Sequence, residues 1–137
     1  MSQKIVFMGT PEFSVPTLEL LLKSEHKILA VYSQPPTKAH RGQKINSSSV
    51  ENFAKKNALN VRTPLTLDTD KEYDFMKNLK PDIVVVMAYG KIIPKRFLNL
   101  AKHGFINVHT SLLPKWRGAA PIQRSIMSLD NETGISI

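Results

Sequence analysis

Hydrophobic positions along the chain fall into short continuous runs separated by helical spacings. Residues 4–8 (KIVFM) form an apolar run ending at Gly9 and read as a buried strand. The next segment places Leu18, Leu21 and Leu22 on one helical face, with Ser14 as N-cap and Pro16 in the first turn. Residues 28–32 (ILAVY) read as a second strand. Residues 34–49 (QPPTKAHRGQKINSSS) are polar and without period, which predicts a loop longer than most connections. Ser48 and Glu51 then match a capping box for a helix through Ala58. A short strand is expected at Val61 and Arg62, and an amphipathic helix over 69–79, stopped by Pro81. Residues 83–89 (IVVVMAY) are apolar on both faces, as the central strands of a parallel sheet are. Pro94 is expected to open another helix ending near Gly104. A strand at 105–109 (FINVH), a loop at 112–118, a helix over 119–129 and the start of a last strand at 135–137 complete the pattern.

Strands alternating with helices imply an α/β fold, a doubly wound and mostly parallel sheet of Rossmann-like type. One domain spanning 1–137 is expected. The final strand stops at Ile137 without turn or cap, so the sheet is expected to be incomplete at the C-terminus and the chain to be a fragment.

Composition narrows the function classes. Apolar residues make up 42% and charged residues 22%, ordinary for a globular protein. With no cysteine, disulfides, thiolate metal sites and a Cys nucleophile are excluded. The N-terminus lacks the features of a signal peptide, and the longest apolar stretch is far short of the ~18 residues of a spanning helix. A cytoplasmic monomer without membrane contact is the expectation. Net charge is +8, unevenly spread: seven Lys or Arg and no acid lie between Lys91 and Arg124. Six more lie between Lys38 and Arg62, against Glu51 alone. A polyanionic partner such as nucleic acid and a merely solubilising surface both fit this asymmetry.

The first turn, Gly9-Thr10-Pro11-Glu12, is not a dinucleotide fingerprint, and no Walker motif exists. The four histidines are too scattered to suggest a metal site. The end of the 105–109 strand is more informative. Asn107 and His109 are two apart and share a face, at the strand end where open parallel sheets bind ligands. An amide and an imidazole there suit an oxyanion that develops in acyl transfer. A strand-end cap is the competing explanation.

The run Asn107-Val108-His109-Thr110-Ser111-Leu112-Leu113-Pro114, with Arg117-Gly118-Ala119-Ala120-Pro121-Ile122-Gln123 after it, resembles the signature of enzymes that use 10-formyltetrahydrofolate. The opening KIVFMGTPEFSVPTL is similar to the first strand and helix of the methionyl-tRNA formyltransferases. Gln34-Pro35 with Arg41-Gly42 and Lys44 resembles their basic loop, although Pro36-Thr37-Lys38 departs from the usual acidic–basic pair.

The resemblance covers essentially the whole chain. It implies Asn107 and His109 as catalytic donors at the formyl group, and Ser111, Leu112, Leu113 and Pro114 lining the folate site. Met87, Tyr89, Gly90, Ile92 and Ile93 become candidate pterin walls, with plain core packing equally open for Met87. Lys38, Arg41 and Lys44 are implied to contact the initiator tRNA. Trp116 and Arg117 either meet an anionic substrate or, for Trp116, pack at the surface. The implied reaction moves a formyl group from 10-formyltetrahydrofolate to the amine of methionyl initiator tRNA, with no metal. The family's catalytic Asp and its C-terminal tRNA-binding β domain would both lie past Ile137, so the chain alone is expected to be inactive. Asp130 and Glu132 are expected at the surface. Alternatives are a formyltransferase acting on a sugar nucleotide, a formyltetrahydrofolate hydrolase, and a non-catalytic RNA-binding module.

Overall fold

The structure, a computed structural model, describes residues 1–39 and 44–137. It divides into two compact units, Met1–Ile106 and Asn107–Ile137.

The first unit is built on a parallel sheet. Strand β1 (Lys4–Gly9) leads through a 3-10 turn at Glu12–Ser14 into helix α1 (Val15–Lys23), and β2 (Lys27–Tyr32) follows. Strands β3 (Thr37–Ala39) and β4 (Lys44–Asn46) come next, then α2 (Ser49–Lys56), β5 (Val61–Arg62), α3 (Asp70–Leu79) and β6 (Ile83–Met87). Strand β7 (Phe105–Asn107) gives the sheet its order β5-β2-β1-β6-β7. β1 lies parallel to β2 and to β6, with Phe7 opposite Val31 and Val85.

Both sheet faces are covered, which is why the strands read as unbroken apolar runs. Val6, Met8, Ala30, Tyr32, Val84 and Val86 face one core with Met76 of α3. The alternate residues Phe7 and Val31 are fully buried, as are Leu18 of α1 and Val50 and Ala54 of α2. The last position of β1 needs glycine, because a Cβ on Gly9 would meet the Met87 carbonyl at 2.9 Å. The doubly wound, mostly parallel sheet is as expected.

Several local expectations need correction. Ser14 precedes α1 but is itself αR, and its hydroxyl caps nothing; it donates to the Met87 carbonyl at 2.8 Å. The 3-10 turn before it has already set the helix entry. Ser48 does cap α2, accepting from the Glu51 amide. Glu51 does not reach back, because its carboxylate pairs with Lys55. Residues 34–49 are not all loop: β3 and β4 pair antiparallel, with Lys38 opposite Ile45. Backbone bonds hold these strands while Ile45 stays 68% exposed, so no apolar alternation announces them. Strand β6 stops at Met87, two residues early, because Ala88 turns to φ 50°. After Pro94 only a 3-10 turn forms, at Lys95–Phe97, in place of the expected helix. A single side chain, Phe97, is buried there, too little apolar surface to hold further turns.

The second unit holds α4 (Pro121–Met127) and an antiparallel bridge between His109 and Ser136. The expected strand 105–109 therefore ends at Asn107, and the last strand is reduced to that bridge. Among the described residues no helix is long and apolar enough to cross a membrane.

Candidate functional site

In the first unit the carboxyl edge of the sheet is tied by side chains. Thr10 Oγ1 and Gln34 Nε2 both donate to the Tyr89 carbonyl, at 2.8 and 3.2 Å, and the Gln34 amide donates to Thr10 Oγ1. Three strand ends are thus joined by one carbonyl. Beside them lies a cleft of about 290 Å³, lined by Thr10, Gln34, Pro35, Asn46, Ser48 and Ser49 among others. Most of the residues around it carry hydroxyls or amides, which can hydrogen-bond a polar ligand.

The expected pterin walls divide. Met87 and Tyr89 have buried side chains, 5% and 1% exposed, and Tyr89 belongs to the core. Gly90, at φ 81°, and Ile92, at 92% exposure, face outward. Lys38 and Lys44 are exposed on β3 and β4. Lys38 shares a face with Ile45, and Lys44 lies on the other face with Thr37. Arg41 and Gly42 lie outside the described residues.

The second unit carries the N-x-H pair and the loop after it. Asn107 is exposed and His109 half-buried. The backbone of His109 exchanges both hydrogen bonds with Ser136, each at 2.8 Å. Ser136 also clamps the loop: its hydroxyl donates to the Ser111 carbonyl at 2.8 Å and accepts from the Leu113 amide at 3.1 Å. Ser111 is fully buried and donates to the Lys115 carbonyl at 2.7 Å, closing the turn. So fixed, Leu112 and Leu113 stay 43% and 49% exposed, and Pro114, after a cis peptide bond, is exposed too. Nothing in the run I-S-I marked Ser136 in advance; its role comes from the bridge.

His109 Nε2 lies 2.8 Å from the Trp116 carbonyl. A carbonyl only accepts, so Nε2 carries the proton and Nδ1 is the nitrogen left for a ligand. Trp116 is half-buried, and its indole N–H donates to Asp130 at 2.7 Å. Lys115 Nζ reaches the same carboxylate at 3.4 Å. This corrects the expectation for Asp130, which is half-buried and engaged rather than a free surface acid. The indole hydrogen bond, helped by Lys115 and opposed by partial desolvation, holds its carboxyl below the usual value. Arg117 is exposed. Among the described residues no group of three or more His, Asp or Glu is placed to hold a metal ion.

Within the second unit an amide and an imidazole thus lie two residues apart beside an exposed Leu-Leu-Pro rim, groups that can donate to an acyl oxygen. Sequence comparison supplies the class. The chain belongs to the formyl transferase family, whose model matches residues 3–137. It is 62% identical over its whole length to a methionyl-tRNA formyltransferase of Pelagibacter ubique and 52% identical to one of Coxiella burnetii. It spans 44% of the length of each. In fold it is similar to glycinamide ribonucleotide transformylase 1 from Geobacillus kaustophilus, with a TM-score of 0.75 at 16% identity. That match covers 98% of this chain and 72% of the other.

Proposed function

We propose that the protein to which this chain belongs transfers a formyl group from 10-formyltetrahydrofolate to the amino group of methionine on charged initiator tRNA. The carrying observation is the second unit's donor set beside an exposed apolar rim. Leu112, Leu113 and Pro114 offer contact to a flat heterocycle, and Asn107 and His109 offer polar contact to its formyl oxygen. The cosubstrate supplies an activated one-carbon unit at the oxidation level of formate. As the amine attacks, negative charge builds on the formyl oxygen; collapse of the adduct breaks the bond between the formyl carbon and the folate nitrogen, which leaves with the proton the amine gives up. The Asn107 amide and a protonated His109 Nδ1 donate to that oxygen, and Nε2 remains on the Trp116 carbonyl. Donors aimed at developing charge act mainly in the transition state.

In the first unit, Lys38 and Lys44 on the hairpin, with Arg41 between them in sequence, form the basic segment proposed to meet the tRNA acceptor end. The polar cleft beside β4 supports that placement. The test is formylation by the full-length protein of methionyl initiator tRNA, methionyl elongator tRNA and glycinamide ribonucleotide, each with 10-formyltetrahydrofolate. Initiator tRNA should be the preferred acceptor. Equal or better turnover of the ribonucleotide would overturn the reading.

A further inference from the structure

We infer that Asp130 and Trp116 form a positioning device that sets the tautomer and direction of the His109 ring. Its catalytic consequence rests on the role proposed above for His109; its structural content does not. The device is a chain of three contacts within one unit. The Asp130 carboxylate accepts from the Trp116 indole at 2.7 Å, and the Trp116 carbonyl accepts from His109 Nε2 at 2.8 Å. The Asp130 backbone amide is itself held by the Ser125 carbonyl at 3.1 Å.

Trp116 needs such a hold. Its φ is 56°, the left-handed region that a bulky L-residue avoids unless the surroundings compel it. In that conformation the Trp116 carbonyl turns onto the His109 ring, so the carboxylate that anchors the indole also fixes the carbonyl that orients the imidazole. Lys115, at 3.4 Å from the same carboxylate, adds a second, charged donor beside the indole. With Nε2–H committed to Trp116, the neutral ring presents Nδ1 as an acceptor, and the protonated ring presents it as a donor. An imidazole released from the carbonyl would divide between two tautomers and lose that assignment.

The experiment labels the histidine rings of the full-length protein with ¹⁵N and reads the His109 tautomer by NMR, assigned from the signals lost in His109→Gln. The wild-type ring should be the Nε2–H tautomer. Trp116→Phe keeps the aromatic bulk and the carbonyl but loses the indole N–H; Asp130→Ala removes its acceptor. Both should give mixed tautomers with dispersed, native-like spectra, and Asp130→Asn, whose amide oxygen still accepts, should restore the single tautomer. Unchanged His109 signals in both Trp116→Phe and Asp130→Ala would overturn the inference. In formyl-transfer assays the same two variants should lower kcat about tenfold or more, the scale of losing an orienting partner, with the folate KM little changed. A shifted tautomer with unchanged kcat would support the positioning device and count against His109 in formyl transfer, so the two failures are distinguishable.

Discussion

Replacing Arg62 by Met should destabilise the first unit by about 3 kcal/mol, because it strands a buried carboxylate. Glu72 sits in α3 with its side chain 8% exposed. It accepts a two-pronged contact from Arg62, Nε to Oε2 at 2.9 Å and Nη2 to Oε1 at 2.6 Å. The Tyr32 hydroxyl donates more weakly, at 3.3 Å. Removing one partner of a buried pair costs about 3–5 kcal/mol, and the 21% exposure of Arg62 argues for the low end. Loss of the guanidinium stacked 3.8 Å over the Phe75 ring is worth about 0.5–1 kcal/mol of that figure. An unfolding entropy near 2.1 cal/mol/K per residue over the 106 residues of this unit is about 0.22 kcal/mol/K, so Tm should fall by about 13 °C. The assay is urea unfolding followed by circular dichroism, with m checked for constancy. Arg62→Met with Glu72→Met should recover most of the loss, because no charge is then left buried. A single variant within about 1 kcal/mol of wild type, or a double variant no better than the single, would refute the stranded-charge account.

In the full-length protein, Asn107→Ala and His109→Ala should each lower kcat by about 10²–10³ with smaller effects on KM, measured by steady-state formyl transfer; a change in KM alone would mean the residue only binds. Burial, with Glu72 nearby, raises the Tyr32 and Tyr89 hydroxyls above their ordinary value of 10.0. Groups whose folded pKa is raised contribute stability that is complete below the unfolded pKa and is lost as pH climbs above it. Alkaline unfolding should therefore begin above pH 10, with the tyrosinate absorbance of these two residues appearing together with loss of circular dichroism; ionisation inside an intact fold would contradict this. Gly90→Ala forces a side chain onto φ 81° and drives its Cβ into the Gln34 amide, so it should cost about 1–3 kcal/mol in denaturant titration. Gln34→Ala in the same background should relieve part of that cost, and no relief would place the strain in the backbone alone.

The strands of the sheet were legible because burial on both faces demands unbroken apolar runs: KIVFM and IVVVM in this chain admit little else. The Ser48 cap of α2 was legible for a related reason, since a hydroxyl three residues before its amide partner is a local contact. Residue type and spacing marked Asn107 and His109 only as candidates, whereas the S-L-L-P loop and the family were legible through the resemblance of residues 107–123 to a known signature. The hairpin of β3 and β4 could not, because a polar ladder held by backbone bonds leaves no side-chain period. Nor could the end of β6 be foreseen: Ala88 adopts a left-handed conformation and Tyr89 returns to the core, while two side chains distant in sequence grip its carbonyl. The same holds for the site. Residue types alone make Asp130 a surface acid, Trp116 a loose aromatic and Ser136 an ordinary serine. Only the tertiary structure joins residues 7 to 25 positions apart, so that Asp130 anchors the indole, Ser136 clamps the Ser111 loop and His109 donates from Nε2. Sequence determines which elements form when the signal lies in burial or a local cap; long-range hydrogen bonds decide how a reactive side chain is aimed, and they leave no periodic mark on the chain.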